Sequence, residues 1–469
     1  MHRAIALAAL MLASPASADT LYVHAGRLID PESGQVLTDR AIRVEQGKVT
    51  AVTAWTAPPP GAQVVDWSAY TVLPGLIDMH VHLADVEQSA NVAEPLLHSE
   101  ADIALRGAGN ARKTLMAGFT TVHDVGSFRA FADVALRDAI NRGDVPGPRI
   151  SAVGAYITIP GGGGEVTGMA PDVSVPAFFR AGVASGPAEV TQKVNYLLQN
   201  GADSIKLIAT GAVLAQGTEP GAQEMSEDDI RAAVQAAQAR GTWVTAHAHG
   251  AAGIKAALRG GVRGIEHASL IDDEGIQLAK AKGAYLAMDI YNGDFIAEVG
   301  KRDHWPADIL RKNDDTTEAQ RQGFARAVKA GVRLTFGTDA GVYPHGLNAR
   351  QFKYMVRYGM TPMQAIQSAT TLAAQELGWS QSVGSLSPGH WADMVAVQAD
   401  PLADIKDLKL RDWEPRSMLV TKTTIREKPM YPAIDMHNHL GGGKERLTPA
   451  TVAKYLKEMD EAGVRTVVN

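Results

Sequence analysis

The chain has 469 residues, 45% hydrophobic and 20% charged, enough for more than one ordinary domain and a large core. A formal net charge of -6 leaves no basic stripe for a phosphate backbone, so a small molecule is expected as partner and nucleic acid is not. There is no cysteine, which excludes disulfides, thiolate ligands and a cysteine nucleophile; any metal must bind through nitrogen and oxygen.

Taken in order, residues 1–18 read as a secretory signal. Arg3 is followed by an apolar stretch from Ala4 to Ala13 and by the small-residue pattern Ala16-Ser17-Ala18, so cleavage is expected after Ala18 and the mature chain is expected to be secreted or periplasmic. The stretch is shorter than the ~20 residues of a membrane-spanning helix, and no later segment comes closer. Residues 19–70 (LYVHAGRLI, AIRVEQGKVTAV) alternate and are rich in turns, as are residues 385–428 (ADMVAVQAD, RSMLVTK); the two parts are expected to pair as one small β-sandwich domain.

Between them, over 71–384, lie eight apolar runs of strand length: VLPGLIDMH, TTVHDV, RISAVG, SIKLIA, WVTAHA, GIEHAS, AYLAMDI and RLTFGTD. Most are separated by helical patterns such as EDDIRAAVQAAQARG, and helix starts are marked by Ser226 with Asp229 and by Thr361-Pro362 with Gln364. Continuous apolar runs suit strands buried on both faces, and eight strand and helix units predict a (β/α)8 barrel. The tail, 429–469, repeats the opening of such a barrel: a strand, His437 and His439, a helix started by Thr448-Pro449, and another strand. It is expected to be the truncated start of a second, catalytically idle domain.

Residues able to bind metal end several of the barrel runs: His80 and His82, Lys206, His247, His267 and Asp339. This is the face where such barrels place their chemistry. His80 and His82 are two apart on a strand, so both leave the same face and can grip one ion. His247 and His249 share a face in the same way, and geometry alone does not choose between them. Lys206 is different, because a protonated ammonium with pKa near ~10.4 has no lone pair. Between Ile205 and Leu207 on a buried strand it must be paired, neutralised or chemically altered. Asp339 can both bind metal and accept a proton from water, and no G-x-S-x-G elbow offers a covalent route.

Over about Leu21 to Val420 the motifs IKLIATGAV, AHAHGAAGIKAALRGGVRGIEHASLIDDEGI, MDIYN and GTDAGVYPHG resemble the metal-dependent amidohydrolase superfamily, which includes dihydroorotase, phosphotriesterase and imidazolonepropionase. Within it they are similar to the secreted Xaa-Pro dipeptidase-like branch. The resemblance implies two divalent metal ions, zinc foremost, held by His80, His82, Lys206, His247, His267 and Asp339. It implies that carbon dioxide converts Lys206 to a carbamate bridging the metals, and that His249 and His123 are structural. It further implies cleavage of the amide bond of dipeptides or N-acyl amino acids by metal-bridged hydroxide, with Asp339 taking the water proton and returning it to the amine. A deaminase or cyclic-amide hydrolase on the same barrel typically lacks the strand-four lysine, and a non-catalytic metal-binding scaffold predicts ligand losses that this sequence does not show.

Substrate contacts are read from strand ends and loops. Tyr291 and His345 are candidates to steady an oxyanion or a substrate carboxylate, and Arg180 to pair a free C-terminus. The segment PGGGGEVTG, Pro160 to Gly168, reads as a mobile lid or a flexible surface loop, and has GGGGE where the branch often carries a GGHGD-like segment. A homo-oligomer is compatible with this reading.

Overall fold

The computed structural model describes residues 20–87, 91–170 and 172–405, together with two short strands near the C-terminus. The expected signal segment and the histidines His437 and His439 lie outside the described residues. The chain divides into two compact units, Met1–Leu419 and Val420–Asn469.

In the first unit, β1 (Leu21–Asp30), β2 (Gln35–Glu45), β3 (Lys48–Ala54) and β4 (Gln63–Pro74) precede the barrel. β4 runs on past residue 70 into the approach to the first barrel strand, so the sheet and the barrel share a continuous stretch of backbone. The barrel strands are β5 (Leu76–Val81), β6 (Phe119–Asp124), β7 (Arg149–Ala152), β8 (Tyr156–Ile157), β9 (Ile205–Ile208), β10 (Val244–Gly250), β11 (Gly264–Leu270), β12 (Tyr285–Ala287) and β13 (Arg333–Thr335). After it, β14 (Met394–Val397) returns antiparallel to β4, giving a five-stranded sheet in the order β14-β4-β1-β2-β3. Its alternating side chains, among them Val23, Ile42, Trp67, Val72 and Met394, close on a small core of their own.

Eight strand positions are filled by nine strands, because a short strand, β8, follows just beyond the third run, RISAVG. β7 pairs with β6, whereas β8 pairs with β9, placing Tyr156 opposite Lys206. Gly154, at φ +78°, makes the turn between them, a conformation that disfavours any side chain. The barrel closes between its first and last strands through Met79 N–H to Phe336 O (2.8 Å), Asp339 N–H to His80 O (2.8 Å) and His82 N–H to Ala340 O (2.8 Å).

Both expected capping boxes form, at Ser226 with Asp229 and at Thr361 with Gln364. The second helix is shorter than its pattern suggests and restarts at Thr371. The backbone carbonyls of Ser368 and Ala369 accept instead from Phe336 N–H (3.0 Å) and Ile77 N–H (2.7 Å), so the barrel takes over acceptors the helix would use.

Inside the barrel, Glu376 from the helix Thr371–Leu377 accepts a hydrogen bond from Thr335 Oγ1 at 2.7 Å. Burial, with the Glu266 charge adding to it, pushes its carboxyl from 4.5 up to about 8. The folded chain therefore binds a proton here that the unfolded chain has released. The associated stability is complete below about pH 4.5 and is lost as the pH rises through about 8. Glu376→Gln is expected to remove that decline: the melting temperature of the variant relative to wild type should rise between about pH 5 and about pH 9 in parallel thermal scans. A difference that stays flat with pH would mean that Glu376 is ionised throughout.

In the second unit, β15 (Ala433–Asp435) and β16 (Val464–Val467) pair in parallel.

Candidate metal centre

His80, His82 and Asp339 sit at or beyond the C-terminal ends of β5 and β13, Lys206, His247 and His267 lie within β9, β10 and β11, and all six line one cavity. The cavity holds about 1260 Å³ of space counted to its open mouth. His80 and His82 emerge together at the end of β5. Their Nε2 atoms lie 3.3 and 3.2 Å from the same atom, Asp339 Oδ1. His82 Nδ1 donates to the Gly126 carbonyl at 2.7 Å, which fixes the tautomer and leaves Nε2 with its lone pair facing Asp339. His80 Nδ1 lies 3.2 Å from Glu266 Oε2, both fully buried. Burial and the Lys206 charge lower the pKa of His80, but Asp339 and Glu266 outweigh them and raise it to about 9.

His247, His249 and His267 form a second cluster, with ring centroids 4.5 to 4.6 Å apart. His247 Nε2 faces the Gly211 carbonyl at 3.2 Å and His249 Nδ1 faces Ser269 Oγ at 2.8 Å. Each keeps one nitrogen uncommitted, so both remain geometrically competent. His267 Nδ1 is 3.0 Å from Asp289 Oδ1, which leaves its Nε2 available. His267, at φ +69°, and Asp339, at φ +57°, both adopt the left-handed backbone region, uncommon for side-chain-bearing residues and found disproportionately where function over-determines the geometry. A metal ion fits this donor set: three groups, His80-His82-Asp339, His247-His249-His267 and His267-Asp289-Asp339, each bring ligand atoms within 4.8 Å of one another.

Lys206 faces the same cavity. It is 2% exposed and forms no hydrogen bond or ion pair with any described residue. Burial lowers its pKa, against the opposing charges of Glu266, Asp339 and Asp289. A buried amine with no partner is the state that carboxylation resolves, because the product carries two oxygens for ligation.

Two working parts, Asp289 and Asn292, lie in the MDIYN segment without a role that the sequence assigns to them. Asp289, just past β12, is the brace of the site: it meets His267 Nδ1, and accepts from Gln320 Nε2 at 2.7 Å and from Asn292 Nδ2 at 3.1 Å. Asn292 Nδ2 also donates to Asp339 Oδ2 at 3.0 Å, so one carboxylate orients two expected ligands. In the sequence Asp289 is an acidic residue ending an apolar run, the same signal as Asp339, and stands within MDIYN. Asp289→Asn is expected to lower both metal affinity and turnover by roughly 10- to 100-fold, the usual cost of losing a group that orients a ligand. Metal analysis after dialysis against graded chelator, alongside kcat, would show whether both fall together.

The three expected substrate contacts do not reach the cavity. Tyr291 accepts through its hydroxyl from Arg350 Nη1 at 2.7 Å and stacks edge-on against Tyr343. His345 is tied to the His82 carbonyl at 3.1 Å and to Thr114 Oγ1 at 3.3 Å, where burial lowers its pKa to about 3. Arg180 is half-exposed and paired with Glu165 at 3.0 Å. Each has its polar group committed to the protein itself. His123 lies off the cavity, with Nε2 2.9 Å from Ser204 Oγ and its ring against Trp243.

The glycine run is a wall of the cavity. Gly163 N–H donates to Glu224 Oε2 at 2.9 Å, Gly163 and Gly164 line the space, and a Cβ on Gly164 would lie 2.6 Å from Ile208 Cγ1. Close packing against the loop that follows β9, rather than mobility, explains these glycines.

A model of the amidohydrolase family matches residues 71–415. Ochratoxinase from Aspergillus niger is 29% identical over 419 residues, covering 85% of this chain and 85% of that protein. A crystal structure of a Xaa-Pro dipeptidase with methionine bound in its active site is 36% identical, with a TM-score of 0.77 over 83% of this chain and 96% of that one. A prolidase complexed with N-methylphosphonate-L-proline is 30% identical, with a TM-score of 0.76 over 83% and 95%.

Proposed function

The chain belongs to the amidohydrolase family and is a hydrolase of amide C–N bonds, and from that premise we propose that it is an exported, binuclear enzyme cleaving dipeptides or N-acyl amino acids. The observation that carries this reading is Lys206, a buried amine with no hydrogen bond or ion pair among the described residues, in a cavity lined by five histidines and two aspartates. We assign His80, His82, Lys206, His247, His267 and Asp339 to two divalent cations, zinc foremost, with Lys206 as the bridging carbamate. Carboxylation needs the neutral amine, the form that burial favours: its nitrogen bonds to the carbon of carbon dioxide and one proton leaves. When bound, the cations would supply a water of lowered pKa and polarise the scissile carbonyl.

The remaining work belongs to the chain. Asp339 is held well below the ordinary carboxylate range: burial opposes its charge, but the His80 charge and the hydrogen bond from His80 outweigh it. It is therefore ionised, ready to take a proton from water, and Asn292 fixes its far oxygen so that Oδ1 points at the histidine pair. The same oxygen can then return the proton to the departing amine. Export rests on the N-terminal pattern of Arg3, the apolar stretch and Ala16-Ser17-Ala18. The segment 429–469 is assigned no catalytic role.

Mass-spectrometric product analysis of the zinc-loaded protein against dipeptides, N-acyl amino acids, cyclic amides and aminated heterocycles tests the reading. Free amine from linear amides is the expected result. Ring opening or ammonia release would move the assignment to a cyclic-amide hydrolase or deaminase, and silence with zinc bound would favour a scaffold.

A further inference from the structure

The wall of the cavity changes character along one helix, Ala307–Ala330. Ile309, Asn313, Thr316 and Gln320 all line the space, spaced so that they share one helix face. At one end, Gln320 touches Asp289 and the His267 carbonyl and so marks the catalytic floor. At the other, Ile309 belongs to an apolar cluster separate from the barrel core. Five of that cluster's members, Val213, Leu214, Ile296, Ile309 and Val342, line the cavity. Ile309 and Gln320 are eleven residues apart, roughly 16 Å of helix at ~1.5 Å per residue. Two extended residues reach at most ~7 Å. A dipeptide would leave the apolar end unfilled.

Charge gives the orientation. Among the described residues, no lysine or arginine lines the cavity apart from Lys206, which the reading above assigns to the metal centre as a carbamate. The nearby Lys312 is fully buried and spends its ammonium on the carbonyls of Ala215 (2.7 Å) and Thr218 (3.2 Å), holding the loop that carries Val213 and Leu214 in place. No cation is left at the apolar end to meet a carboxylate. In an N-acyl amino acid the carboxylate is one carbon removed from the scissile nitrogen, so it stays at the floor beside the histidines, and only the acyl part can extend outward.

Resting on the amide-hydrolase reading above, we propose that the substrates are amino acids N-acylated with a medium or long hydrocarbon chain, whose tail lies against Val213, Leu214, Ile296, Ile309 and Val342. Water is consumed, the C–N bond breaks, a fatty carboxylate forms, and the amino acid leaves with the proton returned to its nitrogen.

The test is kcat/KM of the zinc-loaded full chain on N-acetyl-, N-octanoyl- and N-dodecanoyl-alanine and on Ala-Ala, all below micellar concentrations, with Leu214→Asp run in parallel. A rise of about a hundredfold or more from acetyl to dodecanoyl is expected, since every buried methylene contributes favourably. In Leu214→Asp the ratio of long-chain to short-chain activity should collapse, a readout within one protein that general misfolding does not alter. Equal or better cleavage of N-acetyl-alanine or Ala-Ala would overturn the inference and leave the amide-hydrolase reading standing. A chain-length preference untouched by Leu214→Asp would remove the tail from this wall. Failure to cleave any of the four would count against both.

Discussion

On the assignment proposed above, Lys206→Ala is expected to bind one metal equivalent in place of two and to lose hydrolysis by roughly a thousandfold or more, because it would remove the ligand proposed to be shared by both cations and with it the activated water they would supply. The expectation rests on place as well as chemistry. Lys206 is held in register between Tyr156 on β8 and Thr245 on β10, so its backbone cannot shift without disturbing both neighbours. Among the described residues its amine has no hydrogen-bond or ion-pair partner. Metal content by mass spectrometry and turnover on the same preparation measure both effects. Apoprotein reconstituted in carbon-dioxide-free buffer should stay inactive until bicarbonate is added. Two full equivalents on an active Lys206→Ala variant would sink the bridging role.

Asp339→Asn should be nearly as damaging, with a different signature. Oδ2 accepts from Asn292 and Oδ1 meets His80 and His82, so the wild-type carboxylate is used from both sides. An amide cannot serve both. With its oxygen toward Asn292 it presents an NH2 group to the histidine pair, and turned round it sets two NH2 groups against each other. It also cannot take up the proton of water. Loss of kcat by about 10³- to 10⁴-fold, with KM changed far less, is expected from removing a group that acts in the transition state. Steady-state kinetics on a linear amide would decide. A kcat within tenfold of wild type would move the proton transfer to another group.

What could be read from the sequence was whatever is coded by local contrast. His80, His82, Lys206, His247, His267 and Asp339 stand out because a polar residue at the end of an apolar run is conspicuous, and the strand ends of a barrel converge by topology. The amidohydrolase resemblance was legible for the same reason, in motifs built around those ends. Tyr291, His345 and Arg180 are not among the cavity's lining residues, and adjacency in sequence does not say which way a loop side chain turns; each has a partner of its own in Arg350, the His82 carbonyl and Glu165. The cavity wall on the helix Ala307–Ala330 was hidden because its inward face, Asn313, Thr316 and Gln320, is polar and looks like a solvated surface. β8 was hidden too, since Tyr156 and Ile157 lie beyond the run RISAVG and two residues give no sign that they pair with β9 while β7 pairs with β6.

The closing seam of the barrel joins Asp339 N–H to the His80 carbonyl and His82 N–H to the Ala340 carbonyl. The residues that would grip the cations are thus also the residues whose backbones bring together two strands some 260 positions apart in the chain. A partly assembled barrel, with its last strand unpaired, would have its histidines on one piece and its aspartate on another. Such a chain cannot be half active. Turnover would certify that the whole ring has closed, and on the export proposed above that arrangement would keep reactive chemistry silent until assembly is complete.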